Sequence, residues 1–412
     1  MQKSKTLIPQ LRFPEFIDGN NNVYKKYNFK DIFNFSTGKN IKQSEASPEF
    51  EIPCVRYGEL YHMYKEIIIK TINNTNLNKS ELLFSKGDEI LLPSAGEDPL
   101  DIGSASALTL ENVAIGRTIN ILRPLKDNVY SQKYVAYYIN QVLKKKISTL
   151  AKGSSISNVY NSDLKKLEII LPNIFEQEKT ADFFMSLDRK IGALEKKKNL
   201  LIQFKKGAIQ KIFNQEVRFK DTNGNNYPDW CEKKLSDVLI ERKEMSLKSS
   251  GLEHISLTKK GVVPKTVRYE RDFLVNDDSA KKYKVTRLND ICYNPANLKF
   301  GVICRNKYGD GIFSPIYVTF EVKEGSYTFM EYFLVRAEFI AKARRYEEGT
   351  VYERMAVKPS DFITLKVKLP SLKEQQKIAD FISILNRKIT LVTNQIKQTK
   401  TFKKGLLQQM FV

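Results

Sequence analysis

One feature constrains this chain more than any other: residues 162–213 return as residues 360–411 in the same register and without a gap, with roughly 20 of the 52 positions identical. Both copies read Ser-Asp, Leu-Pro, Glu-Gln-x-Lys-x-Ala-Asp-Phe, Leu-x-Arg-Lys-Ile and Phe-Lys-Lys-Gly, in that order. Each predicts a helix. Asn173 with Glu176, and Ser371 with Glu374, have the spacing of a capping box, one residue after Pro172 and Pro370. Apolar residues then step by three and four, through Phe184, Leu187, Ile191, Leu194, Leu201, Ala208 and Ile212 in the first copy. The second gives Ile382, Leu385, Ile389, Val392, Ile396, Leu406 and Met410. A helix of about 38 residues rises about 57 Å at ~1.5 Å per residue. A single narrow seam on so long a helix needs other helices to cover it, either the other copy or a partner's. Lys198, Lys205, Thr399 and Lys403 interrupt the seams, which sets register at a cost in stability.

The repeat extends beyond the helices. Leu11-Arg12-Phe13, an Asn-rich turn at Asn20, Asn21 and Asn22, and Phe29-x-Asp31-Ile32 recur as Val217-Arg218-Phe219, residues 223–228, and Leu235-x-Asp237-Val238. The repeating unit is therefore half the chain. Between lead-in and helix, residues 39–160 carry short β-type runs at 66–72 and 114–122, broken by Gly and Pro. Lys86-Gly87-Asp88 turns into a buried strand that ends at Pro93, a polar loop spans 94–103, and 130–147 has helical spacing. Residues 239–357 repeat the programme in different letters: a strand entered at 288–291, a loop at 293–300, a strand at 316–322 and helix at 329–346. The expected fold class is α/β (α+β), two domains in tandem, each followed by a long α-helix. The boundaries fall at 1–160, 161–214, 215–357 and 358–412. Scaffold shared and loops not shared is the pattern of one framework reading two targets.

The chain has 412 residues, enough for several cores, and 68 Lys and Arg against 47 Asp and Glu give a net charge of +21 distributed over both halves. Such an excess favours a polyanion, of which nucleic acid is the common one, although ribosomal and membrane-surface proteins are also basic and charge alone does not separate them. Cys54, Cys231, Cys292 and Cys304 show no metal-ligand spacing and are expected to be buried reduced thiols. With no apolar run of membrane-spanning length and no secretory core at the start, a cytoplasmic location is expected.

Asp290–Tyr317, reading DICYNPANLKFGVICRNKYGDGIFSPIY, resembles the target-recognition domains of type I restriction-modification specificity subunits through Tyr293-Asn294-Pro295, Gly301 and Gly311-Ile312-Phe313-Ser314-Pro315. The Leu-Pro-x-x-x-x-Glu-Gln-x-Lys-x-Ala opening of both helices resembles that family's conserved regions, and the resemblance covers nearly the whole chain. It implies a noncatalytic subunit that selects a two-part DNA site, one half per recognition domain, with the helices paired as an antiparallel coiled-coil spacer. It also implies two adenine-methylating partner subunits and an ATP-driven translocating nuclease. S-adenosylmethionine, ATP and Mg would then be held by the partners, with no cofactor and no metal in this chain.

Enzymatic readings find less support. Asn294-Pro295-Ala296-Asn297 begins like an amino-methyltransferase motif but lacks its second Pro and its stacking aromatic, and no Gly-x-Gly cofactor loop precedes it. No Gly-x-x-x-x-Gly-Lys-Ser/Thr phosphate cradle occurs. Asp229, Glu232 and Lys234 lie too close in sequence for a metal nuclease, with Trp230 between them a packing residue. The alternative is a self-contained methyltransferase or nuclease with unfamiliar motifs. The DNA-contacting candidates are Lys39, Arg56, Ser94, Glu97, Arg117 and Lys152 in the first domain. In the second they are Lys259, Lys260, Arg268, Asn297, Lys299, Arg305, Lys307 and Arg345. The tract Lys152-Gly153-Ser154-Ser155 suits phosphate contact by composition. The helix-pair or partner interface is expected at Phe184, Leu187, Ile191, Leu194, Leu201, Ile382, Leu385, Ile389, Val392 and Ile396.

Overall fold

The computed structural model describes residues 8–17, 24–153, 155–259, 261–265, 281–348 and 355–412. The chain forms two compact units, Met1–Lys196 with Thr393–Val412, and Lys197–Val392. The second unit is one continuous stretch and the first is completed by the C-terminal segment, so each long helix contributes to both. The first long helix runs Ile174–Phe213 over 40 residues and the second Leu372–Met410 over 39.

Each helix begins as its sequence dictates. The Oδ1 of Asn173 accepts the Glu176 N–H at 3.0 Å and the Oγ of Ser371 accepts the Glu374 N–H at 3.4 Å. The two Glu side chains have a further use: Arg12 donates to Glu176 at 2.7 Å, and Arg218 to Glu374 at 2.8 Å. The next residue of each motif ties the helix to its domain. Gln177 donates to the Pro172 carbonyl and accepts from the Ser131 N–H, both at 2.9 Å. Gln375 does the same with Pro370 at 3.1 Å and Ser326 at 3.3 Å. The repeated Glu-Gln dipeptide is thus a duplicated joint.

In the first unit, a sheet orders its strands as Phe33–Thr37, Ile119–Pro124, Glu89–Pro93, Ser106–Leu108 and Ile67–Ile68, antiparallel except at the last pair. A second sheet orders Asn73–Thr75, Ile52–Val55, Glu111–Ile115 and Phe84–Lys86. In the second unit, Leu239–Glu241, Val318–Val322, Ile291–Tyr293 and Ile303–Arg305 form the matching sheet, beside a three-stranded one of Met245–Leu247, Lys282–Thr286 and Gly311–Phe313. In both units the lead-in strand (Lys25–Asn28; Cys231–Lys234) pairs antiparallel with the strand just before the long helix (Glu168–Leu171; Lys366–Leu369).

The short β runs differ from the sequence expectation. Residues 114–122 split between two sheets, because at Gly116 an added Cβ would lie 3.1 Å from the Val55 carbonyl and Thr118 adopts φ 66°, turning the chain out of one sheet into the other. Only Ile67–Ile68 of 66–72 is strand, and Ile69 leaves the sheet with its side chain exposed. The helix expected at 329–346 is two, Tyr327–Leu334 and Ala337–Ala343. The loop expected at 94–103 holds the short strand Ala95–Gly96 and the helical turn Pro99–Ile102. Of the cysteines, all free, Cys54 and Cys292 are buried, Cys304 is half-buried and Cys231 is exposed, because its strand lies on the surface.

The helix seams divide between the units. In the first, Phe184, Leu187, Ile191 and Ile396 are buried and Leu194 is half-buried. In the second, Ile382, Leu385 and Val392 are buried, while Leu201 and Ile389 are half-buried. Within the first unit the opening turns of the first helix meet the closing turns of the second: Phe184 packs on Phe411 at 5.7 Å, Asp188 accepts from Lys403 at 2.7 Å, and Glu195 from Lys400 at 2.6 Å. Within the second unit the direction is the same, with Phe204 at 6.5 Å from Phe381 and Lys205 donating to Asn386 at 2.7 Å. Two of the lysines that interrupt the seams therefore occupy equivalent positions: Lys403 binds Asp188 and lies 5.2 Å over Tyr137, and Lys205 binds Asn386 and lies 4.9 Å over Tyr332. Phe213 packs on Phe329 and Trp230 in one core, and Phe411 on Tyr134 in the other.

Candidate nucleic-acid interface

In the first unit the expected contact residues converge through backbone pairing. The N–H of Lys39 donates to the Ile115 carbonyl at 3.0 Å, that of Arg117 to the Asn40 carbonyl at 2.9 Å, and that of Gly116 to Val55, next to Arg56, at 2.9 Å. A Cβ on Gly38 would collide with the Gly116 carbonyl, so this close approach of two loops requires glycine. Ser94 continues the line, its N–H donating to Thr118 and its carbonyl accepting from Val159, both at 2.9 Å. Residues 157–158 pair with 96 and 95, and Lys152 pairs with Asn158. Six residues far apart in sequence thus sit on adjoining loops, with Lys39, Glu97, Arg117 and Lys152 exposed and Arg56 and Ser94 half-buried.

Not all are equally available. Arg56 is held by the buried carboxylate of Glu59 at 2.8 Å, and Lys152 by Asp163 at 2.8 Å. Lys152 and Lys166 hold the Asp163 carboxyl below its ordinary range. Of these six residues, Lys39 and Arg117 are the exposed cations at the glycine crossing.

In the second unit Asn297 and Lys299 lie on the helical turn Pro295–Phe300, and Lys259 tips the hairpin of Ile255–Thr258 and Gly261–Pro264. Hairpin and turn approach each other: a Cβ on Gly301 would lie 3.9 Å from the Lys259 Cε. Arg305 and Lys307 share one carboxylate, Glu331, at 3.1 and 2.6 Å, which makes them a local ion-pair network. Arg345 is exposed on the turn Arg344–Tyr346. Lys260 and Arg268 lie outside the described residues, as does Ser154 in the first unit. The Asn294 side chain, which begins the methyltransferase-like motif, is buried and accepts the Ala296 N–H at 3.1 Å, so it caps a turn.

Sequence reading missed one basic group. His254 packs edge-on to Tyr283 at 4.8 Å, Lys281 lies 6.0 Å from the same ring, and the Lys265 N–H donates to the His254 carbonyl at 3.0 Å. Burial, then the charges of Lys265, Lys248 and Lys281, push the His254 imidazole down to about 4. Lys265 is itself held below its ordinary value by burial and by Lys248 and Lys281. Positions 248, 254, 265 and 281 share no spacing, and only the folding of three segments together reveals them. A separate cleft of about 670 Å³ in the first unit is lined largely by apolar groups, among them Met63, Ile67, Ile69, Ile72 and Met185, and by none of the DNA-contact candidates. Among the described residues no helix is long and apolar enough to cross a membrane.

Comparison with known proteins agrees with this architecture. Residues 21–203 match the family described as the type I restriction modification DNA specificity domain. The chain is 21% identical over 353 residues to the type I restriction enzyme MjaVIII specificity subunit of Methanocaldococcus jannaschii, covering 80% of each. It is 23% identical over 316 residues to the putative type I restriction enzyme MjaX specificity subunit of the same organism, covering 71% of this chain and 70% of that one. In fold it is similar to the type I restriction-modification S subunit from M. genitalium, with a TM-score of 0.59 and 15% identity over 98% of this chain and 99% of that one. This chain is therefore similar over residues 21–203 to the type I restriction modification DNA specificity domain, over most of its length to type I specificity subunits, and in fold to an S subunit.

Proposed function

We propose that this chain is the noncatalytic DNA-specificity subunit of a type I restriction-modification complex and reads a bipartite site, one half per recognition domain. The observation that carries this reading is the duplication itself. The Arg-Glu and Gln joints, the lead-in strand pair and the seam lysines recur in both halves, while the loops that carry the exposed cations differ in sequence and charge. A duplicated frame with divergent tips suits two unlike half-sites. In this reading residues 1–160 and 215–357 are the target-recognition domains, and 161–214 and 358–412 form an antiparallel coiled coil that spaces them. The reversed helix contacts within each unit support that pairing. The outer faces of the helices and the exposed surface around them dock two methyltransferase subunits and the translocating restriction subunits. S-adenosylmethionine, ATP and Mg belong to those partners, which keeps catalysis off this chain.

Exposed cations such as Lys39, Arg117, Lys259 and Lys299 neutralise phosphates, so affinity falls steeply with salt. The test is to assay purified chain with DNA and S-adenosylmethionine, with and without the methyltransferase subunits, and to map the methylated adenines. Methylation at a two-part motif only when the partners are present is the expected result. Methylation by the chain alone would instead establish the self-contained enzyme.

A further inference from the structure

In both units the third strand of the matching sheet, Glu89–Pro93 or Ile291–Tyr293, leads into a helical turn opened by an Asx residue and a Pro. Asp98 accepts the Leu100 N–H at 2.8 Å and Asn294 accepts the Ala296 N–H at 3.1 Å, with Pro99 and Pro295 at the first helical position. Each turn then presents an apolar side chain to solvent, Leu100 at 47% exposure and Phe300 at 59%. The surroundings are opposite in charge. Glu97, Asp98 and Asp101 frame Leu100, whereas Asn297, Lys299 and Lys259 frame Phe300.

A lone exposed aromatic is ordinary on a protein surface. Phe300 is set apart by how firmly it is held and by what surrounds it. Leu298 anchors the turn in the core at 0% exposure, the Gly301 N–H closes it on the Leu298 carbonyl at 2.8 Å, and Gly301 leaves it at φ 76°, a conformation that favours glycine. The Lys299 ammonium lies 5.2 Å over the Phe300 ring, and Lys259 approaches Gly301 from the facing hairpin. An exposed apolar ring on an anchored turn, with one cation over it and a second beside the next residue, matches a nucleic-acid groove, where phosphates flank base edges and the thymine 5-methyl is the apolar group on offer.

We propose that Phe300 is a specificity-determining residue that makes an apolar contact with a thymine methyl in the half-site read by the second recognition domain, while Lys259 and Lys299 anchor the turn on flanking phosphates. This rests on the reading of the chain as a DNA-specificity subunit. The test uses the full chain assembled with its methyltransferase subunits, and compares Phe300→Ala, Phe300→Leu and Lys299→Gln. Phe300→Ala is expected to lower discrimination by about tenfold at one or two base pairs of a single half-site, with the salt dependence of binding unchanged. Phe300→Leu, which keeps an apolar tip, should retain part of it. Uracil in place of thymine at the affected position should weaken wild-type binding by a similar factor and leave Phe300→Ala unaffected. Lys299→Gln should instead weaken binding evenly across sequences and reduce the salt slope by about one. The proposal is overturned if Phe300→Ala methylates the wild-type motif with unchanged relative rates, if it weakens all sequences evenly, or if uracil has no effect on the wild type. A wild-type complex that methylates with no sequence motif would overturn the specificity reading itself, an outcome distinct from these.

Discussion

Arg12 and Glu176 meet at 2.7 Å with side-chain exposures of 5% and 3%, and that near-complete removal from water sets the energy scale of the pair. A buried ion pair adds little over an apolar pair, but removing one member strands the other charge at a cost of about 3–5 kcal/mol. Glu176→Ala should therefore lose stability on that scale in urea unfolding, and a loss below about 1 kcal/mol would contradict the role given to the joint. His254 makes a prediction with a definite sign. Its folded value, about 4, lies below the ordinary 6.5, so between those limits the unfolded chain takes up a proton that the folded unit refuses. The contribution of neutral His254 is full above about pH 6.5 and is lost as the pH falls toward about 4. The melting temperature of wild type should fall relative to that of His254→Gln as the pH drops across that range; a constant difference would refute the assignment. Individual candidates for DNA contact were legible only as residue types. Arg305 and Lys307 look as available as Lys259 in the sequence, yet Glu331 occupies both.

The long helices were the most legible elements, because a seam repeated over ten turns outweighs local ambiguity. Their starts were readable from Asn173 and Ser371, and the half-buried middle of the seam was not. That gradation bears on substitution. Ile191 is 2% exposed and Ile389 only half-buried, so Ile191→Asp should cost more than about 3 kcal/mol or prevent assembly, and Ile389→Asp should cost less. Gel filtration and denaturant unfolding of both variants check this, and equal, wild-type-like behaviour would remove the seam from the architecture. The short strands were the least legible. Residues 114–122 read as one apolar run, and the change of sheet depends on a loop approaching Gly116 from elsewhere in the chain.

For the molecule as a whole, the duplication predicts modular behaviour. Exchanging residues 239–357 for those of a relative should change one half of the methylated motif and leave the other intact, and a change in both halves would contradict one domain per half-site. The proposed spacer predicts a change in distance. One heptad inserted after Leu194 and another after Val392 preserves both seams and adds about 10 Å to each helix, which corresponds to up to about three base pairs between half-sites. An active variant that keeps the original spacing would show that the helices are not the ruler. The sequence by itself determined the half-chain repeat, the two helices, their capped starts and the cationic character, since each depends on residues close together or on a sum over the chain. Tertiary structure alone decided which cations stay free, that seam lysines bind Asp188 and Asn386, and that Phe213 and Phe411 complete the two cores. The last two outcomes join groups more than a hundred residues apart, and the first turns on the rotamers and burial of nearer carboxylates such as Glu59, Asp163 and Glu331; local periodicity encodes neither.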